Sequence, residues 1–200
     1  MILSRIFEGK KQGFYVDIGA HHPRRFSNTY LFYKQGWTGI NVEPNPHAQR
    51  LFNKERSRDI NLQCGISEFE TELTYYYFDE PALNTFDYEV VKSRLETTPY
   101  KLLDQAPIPV FRLETIFKRY LLPKQYIDFL TIDVEGLDYS VLRSNDWKVF
   151  RPSCIVIETL NTDLQQACDS TIAIFLIKRN YKIFARTYNS LIFLDDLKDI

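Results

Sequence analysis

Phe14-Tyr15-Val16-Asp17-Ile18-Gly19-Ala20-His21-His22 and, one helix's length further on, Trp37-Thr38-Gly39-Ile40-Asn41-Val42-Glu43-Pro44-Asn45 decide the fold of this chain. Each is an apolar run of the kind that forms a strand buried on both faces. The first ends in Asp-x-Gly, where glycine permits a turn with positive φ, and the second ends in a carboxylate. In an open α/β sheet, ligands sit beyond the carboxyl ends of neighbouring strands, and an acidic residue closing the second strand holds ribose hydroxyls. The order therefore predicts a doubly wound, mostly parallel α/β sheet with a nucleoside pocket. Asp17, Gly19, Ala20, His21, Glu43 and Asn45 are its candidate contacts.

Working outward, residues 1–12 read as an N-terminal arm, and residues 14–18 and 39–43 as the first two strands. The helix between them, residues 27–35, is capped by Ser27 or Asn28 and ended by Gly36. Pro44 and Pro46 force a turn into a helix at 48–56, and a third strand is expected at 60–64. The tyrosine-rich stretch 72–78 reads as an extra or edge strand. Residues 79–107, carrying Pro81, Pro99 and Pro107 and a helix near 88–95, read as an insertion shaping an acceptor site. A short strand at 110–112 and a helix at 113–122, stopped by Pro123, follow. Residues 127–132 form a buried strand ending in Asp133-Val134-Glu135-Gly136, residues 139–142 a helix, and residues 155–157 a strand ending in Glu158. An amphipathic helix at 164–179 precedes a closing antiparallel hairpin, 181–186 with 191–194. The whole, residues 1–200, is expected to be one domain.

Two hundred residues, 44% hydrophobic and 15% aromatic, supply enough apolar surface for a core without staples. A formal charge of −1 gives no global attraction to nucleic acid or anionic membrane, and the basic cluster Lys54, Arg56, Arg58 is interrupted by Glu55 and Asp59. Nucleic acid is thus not an expected partner. Cys64, Cys154 and Cys168 are odd in number and widely spaced, which suits a reducing compartment and offers no zinc pattern. Arg5, Glu8, Lys10 and Lys11 break up the N-terminal apolar run, and no stretch approaches the ~18 apolar residues of a membrane span. A cytoplasmic location is the expectation.

The loop after Gly19 lacks the further glycines that let a backbone approach a pyrophosphate, so a cofactor without phosphates fits better than a dinucleotide. S-adenosyl-L-methionine is such a cofactor. Glu43 would bond its ribose, Gly19 would let the chain pass beside the methionine portion, and Asp17 would order the loop or meet the amino group. A parallel sheet finished by a reversed strand is also the Rossmann-like methyltransferase form, an analogy of fold.

Three segments, Val16-Asp17-Ile18-Gly19-Ala20, Asn41-Val42-Glu43-Pro44-Asn45-Pro46 and Phe129-Leu130-Thr131-Ile132-Asp133-Val134-Glu135-Gly136, resemble the FkbM-type methyltransferases. The resemblance spans roughly residues 13–160. It implies a seven-stranded methyltransferase sheet and S-adenosylmethionine-dependent O-methylation of sugar or polyketide hydroxyls. It also implies cofactor contacts for Asp17, Gly19 and Glu43, and an active-centre place for Asp133 and Glu135. His21, His22 and Pro23 stand where many relatives carry Asn and a small residue.

A hydroxyl acceptor needs a base as the C–O bond forms. Asp133, Glu135 and His22 are the catalytic candidates, and Glu158 ends the adjacent strand. Converging carboxylates also suit Mg²⁺, but the metal-free arrangement is preferred and no metal ligand is assigned. Asp133 has an alternative as a helix cap near Leu137. Arg24 and Arg25 are candidates for gripping an anionic acceptor, and Tyr75, Tyr76 and Tyr77 for stacking on sugar or for packing. The acceptor is expected to be a small molecule or glycan. Two competing readings are a nucleoside- or partner-binding module without catalysis and an NAD(P)-dependent oxidoreductase.

Overall fold

The computed structural model describes residues 2–159 and 163–198. After helix α1 (Ile2–Ile6), strand β1 (Phe14–Ile18) pairs in parallel with β2 (Thr38–Val42) on one side and with β7 (Phe129–Ile132) on the other. Strand β3 (Ile60–Leu62) extends the sheet beyond β2, and β8 (Cys154–Glu158) extends it beyond β7. The chain then returns through β9 (Tyr181–Arg186) and β10 (Ser190–Asp195), with β10 inserted antiparallel between β8 and β9. The resulting order is β3-β2-β1-β7-β8-β10-β9, the seven-stranded and mostly parallel Rossmann-like sheet expected.

Period-two alternation sorts the strand residues onto two buried faces. Val16, Ile18, Leu130, Ile132, Ile155 and Ile157 face one layer, which contains helices α5 (Leu113–Tyr120), α6 (Asp138–Arg143) and α8 (Thr171–Ile177). Tyr15, Phe129 and Val156 face the other, where Leu3 and Phe7 meet helix α2 (Tyr30–Lys34) and Trp37. Phe7, Phe32, Trp37 and Phe129 pack there with ring centroids 4.8–6.1 Å apart, a spacing at which aromatic pairs add to plain area burial.

A second sheet departs from the expected arrangement. Strand β3 stops at Leu62, and the chain turns out through β4 (Gly65–Ile66) into a three-stranded sheet ordered β4-β6-β5. Here β5 (Thr71–Phe78) runs antiparallel to β6 (Leu102–Phe111), a strand of 10 residues. The short strand expected at 110–112 is therefore the end of β6, which began inside the stretch read as an insertion. Pro107 and Pro109 hid it. They share one parity, so their missing N–H groups face the same side of the strand, where β4 pairs only at Val110 and Phe111. A 3₁₀ turn (Pro81–Leu83) and helix α4 (Tyr88–Thr97), N-capped by Asp87, connect β5 to β6.

The helices depart from the patterns in both directions: α2 and α5 are shorter than expected, while α3, α4 and α6 are slightly longer. Helix α3 (Pro46–Glu55) starts at the second proline, with Asn45 Oδ1 accepting from His47 N at 2.9 Å. The N-cap of α2 is Thr29, without a side-chain cap hydrogen bond, and not Ser27 or Asn28 as expected: Ser27, two residues earlier, accepts from Tyr30 N at 3.1 Å, and Asn28 donates to Thr131. The single helix expected at 164–179 is two, α7 (Leu164–Cys168) and α8. Ser170 breaks the run because its Oγ accepts from Ala173 N and starts a new helix. Among the described residues no helix is long and apolar enough to cross a membrane.

Candidate functional site

The carboxyl ends of β2, β1, β7 and β8 open onto one cavity of about 390 Å³, whose far wall comes from β4, β5 and the 3₁₀ turn. That volume lies in the ~300–1,000 Å³ range of small-molecule sites. Alternation and register explain which side chains gather there. Asp17 pairs with Asn41 and Thr131, and Thr131 pairs with Val156. Two residues further along each strand, the same face carries Glu43, Asp133 and Glu158. All four carboxylates line the cavity.

Glu43 is buried and held by the backbone. Its Oε2 accepts from His21 N at 2.7 Å and its Oε1 from Asn45 N at 2.8 Å, with Tyr75 Oη at 3.5 Å. Burial pushes its pKa up to about 7 against the opposing pull of those amides. Oε2 has a single donor and keeps a second lone pair, so the carboxylate can still accept from a ligand hydroxyl.

Asp17 is buried too, and burial raises it to about 6, partly offset by the Thr29 hydrogen bond and Arg56. Thr29 Oγ1 donates to Asp17 Oδ2 at 2.9 Å and accepts from Arg56 Nη2 at 2.8 Å. Arg56, part of the exposed-looking charge cluster in the sequence, has none of its side chain exposed. It also donates to Tyr15 Oη, to the Pro23 carbonyl oxygen and, through Nε at 3.0 Å, to Asp59 Oδ2. One buried guanidinium thus ties the β1 tip, the loop after it and the turn before β3. Nothing in the spacing of Lys54, Arg56 and Arg58 marks Arg56 as the buried one.

Gly19 has φ of 79°, and a Cβ there would sit 1.8 Å from the Asp133 carbonyl oxygen. Its missing side chain therefore lets the β1 and β7 tips close together, and Gly19 also lines the cavity. Ala20 follows on the cavity wall with its N–H on the Val42 carbonyl. His21 also lines the cavity. Its Nε2 is buried without a partner among the described residues, and burial lowers its pKa.

Two candidates stand off the cavity wall. His22 Nδ1 accepts from the backbone N–H groups of Arg24 and Arg25, both at 3.0 Å, so this ring braces a turn. Asn45 caps α3 and meets the site only through its backbone donation to Glu43. Arg24 and Arg25 lie off the cavity wall, in exposed ion pairs with Glu55 at 2.6 Å and Glu80 at 3.0 Å.

Asp133, Glu135 and Glu158 offer oxygens that all lie within 4.8 Å of one another. Asp133 and Glu158 hydrogen-bond to each other: burial and then the charges of Glu135 and Asp138 raise Asp133 while the hydrogen bond from Glu158 lowers it, and burial and then the Asp133 charge raise Glu158, which places the shared proton on Glu158. Asp133 nonetheless keeps surface open to the cavity. Glu135 is different: it sits at φ of 55° and forms an ion pair with Arg94 of α4, while its carbonyl oxygen accepts from Thr85 Oγ1 at 2.9 Å. It fastens the small sheet and α4 to the β7 loop. The helix-capping alternative considered for Asp133 is not realised: the N-cap of α6 is Leu137, with no side-chain cap hydrogen bond, and Asp138 instead accepts from the loop N–H groups of Val134 and Gly136, both at 3.3 Å. Tyr75 joins the cavity wall, whereas Tyr76 packs against Tyr88 at 5.8 Å.

A comparison with curated proteins gave no match. The family model of the Methyltransferase FkbM domain matches residues 17–183, from the Asp17 tip of β1 into β9. That span covers most of the chain and includes all four strand tips that meet at the cavity, so this chain belongs to the FkbM methyltransferase family.

Proposed function

We propose that the protein is an S-adenosyl-L-methionine-dependent O-methyltransferase acting on a hydroxyl of a sugar, glycan or related natural product. The observation that carries this reading is the continuity of one cavity from Glu43 and Asp17 to the Asp133–Glu158 pair. The residues suit the cofactor: a buried carboxylate with a free lone pair on Oε2 at the β2 tip for ribose, a His21 Nε2 on the wall without a partner among the described residues, and an acidic lining for a sulfonium cation. When bound, the cofactor supplies an electrophilic methyl group and a neutral thioether leaving group.

The chain's own residues do the rest. Glu43, fixed by two amides, orients the nucleoside end. Asp133 accepts the acceptor's hydroxyl proton as the C–O bond forms, and Glu158, holding its own proton against Asp133, keeps that base oriented. The wall formed by Tyr75, Phe86 and Ile66 excludes water from the cofactor end. Glu135 is tied to Arg94 and serves as a fastening, not as the base. The same tie favours the metal-free reading, because it occupies one of the three oxygen donors a cation would use.

Calorimetry with S-adenosylhomocysteine on the wild type and Glu43→Ala tests the cofactor half; equal tight binding by both refutes the ribose role. Labelled-methyl transfer to a panel of free and nucleotide-linked sugars, with and without chelator, tests the rest. Transfer abolished by chelator would replace the general base with a metal. Cofactor binding without transfer to any acceptor would favour the binding-module reading.

A further inference from the structure

Among the described residues, the cavity is lined by Asp17, Glu43, Asp133, Glu135 and Glu158 and by no lysine or arginine. Of the guanidinium groups on neighbouring elements, Arg24 is paired with Glu55, Arg25 with Glu80, Arg94 with Glu135 and Arg56 with Asp59, and Arg186 is not free either. Phosphate and carboxylate recognition relies on bidentate arginine or on lysine, and neither is on offer here. Like charges converging in a partly desolvated cleft repel strongly.

The cavity also divides by chemistry. Cys64, Ile66, Tyr75 and Phe86 make the end beside β4 and β5 apolar, which suits a base ring. At the other end, over β7, β8 and β10, stand the Asp133–Glu158 pair, Asn28, Asn189 and Ser190. Asn28 commits its amide nitrogen to Thr131 Oγ1 at 3.0 Å, which leaves its carbonyl oxygen for a ligand. Hydrogen-bond acceptors thus predominate in this half, and a matching ligand is rich in donors.

At the rim stands Phe26, on the cavity wall yet 74% exposed, with φ of 56°. A bulky side chain in the left-handed region is a backbone outlier. Its ring lies near-parallel to His21, at 20° and 6.1 Å between centroids. It is an apolar ring facing a polar cleft, the pairing that takes the C–H face of a sugar while the hydroxyls turn inward.

We infer that the β7–β8–β10 end of the cavity is an acceptor subsite for an unphosphorylated carbohydrate ring, neutral or amine-bearing, with its hydroxyls donating to Glu158, Asp133 and Asn28 and one face against Phe26. Phosphate-bearing forms, including nucleotide sugars, are excluded. This rests on the methyl-transfer reading and narrows its acceptor class.

The test is saturation-transfer NMR at millimolar ligand on the S-adenosylhomocysteine-loaded protein, using methyl glucoside, its 2-amino-2-deoxy analogue and glucose 6-phosphate. Labelled-methyl transfer to the same three rings runs alongside. Saturable binding of the first two, with the phosphate at least a hundredfold weaker, is the expected result. Phe26→Ala should weaken ring binding at least fivefold without changing S-adenosylhomocysteine affinity, and Asp133→Asn, which removes the negative charge of the Asp133–Glu158 pair, should narrow the discrimination against phosphate at least tenfold. Binding of the phosphate ring as tightly as the neutral one overturns the inference. So does failure of both unphosphorylated rings to bind a protein that holds S-adenosylhomocysteine. Failure of S-adenosylhomocysteine itself to bind removes the underlying reading, and this one with it.

Discussion

Replacing Arg56 with methionine keeps side-chain length while deleting a cation that is completely buried. The guanidinium donates to Asp59, Tyr15, Thr29 and the Pro23 carbonyl at 2.8–3.0 Å. Breaking a buried ion pair by removing one partner costs about 3–5 kcal/mol, since the remaining charge is left uncompensated. The lower end applies here, because Asp59 still accepts from Tyr15 Oη, Gly39 N and Asn41 Nδ2. For a chain of this length, about 3 kcal/mol corresponds to roughly 6–12 °C in Tm. Urea unfolding should therefore show a lower midpoint with an unchanged slope. Asp59→Leu alone should also destabilise, because it leaves Gly39 N, Asn41 Nδ2 and Tyr15 Oη without this acceptor, and the double variant should lose less than the sum of the two, since both remove the same ion pair. The site should feel the change as well. Pro23 loses its anchor, and Asp17, already raised to about 6, loses a nearby positive charge and moves higher. S-adenosylhomocysteine affinity should fall at least tenfold at neutral pH. A stability loss under about 1 kcal/mol, or a double variant as weak as the sum of the two single ones, would refute the assignment of Arg56 as the buried tie.

Three further outcomes follow from the strand tips. Glu43 is raised to about 7 when folded, above its unfolded value, so it binds more protons in the native state. Stability should therefore fall as pH rises from about 4.5 to 7, by up to about 3 kcal/mol, and Glu43→Gln should flatten that slope in urea titrations; an unaltered slope would count against it. Asp133→Asn should lower kcat by about 10²–10⁴-fold and abolish the rise of activity with pH that ionisation of the raised Asp133 produces, while S-adenosylhomocysteine binding persists. Gly19→Ala places a methyl 1.8 Å from the Asp133 carbonyl at positive φ. Its left-handed strain alone costs about 1–2 kcal/mol, and both Tm and cofactor affinity should drop; retention of both would show that the β1 and β7 tips are not packed as described.

Much of this site was legible because strands alternate. Once Asp17, Glu43, Asp133 and Glu158 are recognised as ending buried apolar runs, parity alone puts them on one face, and the register of β1, β2, β7 and β8 confirms it. What escaped depends on long-range contacts. The ion pair of Glu135 with Arg94 spans 41 residues, and the donation from Arg56 to Thr29 spans 27; no local pattern announces either. The long strand β6 was obscured by Pro107 and Pro109, whose weak strand tendency is overridden by full-length pairing with β5. The break between α7 and α8 was visible in principle. Ser170 precedes a run of apolar residues as an N-cap does, but the amphipathic period continues across it.

The reversal of β10 carries a consequence for how the family can diversify. In an all-parallel sheet, the neighbour of Glu158 would be another strand's end, committed to a following crossover. Here Ser190, the first residue of an incoming strand, pairs with Glu158, and the Asn189 carbonyl accepts from Thr159 N at 2.7 Å. One wall of the cleft is thus the tip of a hairpin, with Tyr188 94% exposed beside it. Lengthening or rewriting that tip would reshape what the cleft admits while leaving the Glu43 end and its supporting hydrogen bonds in place.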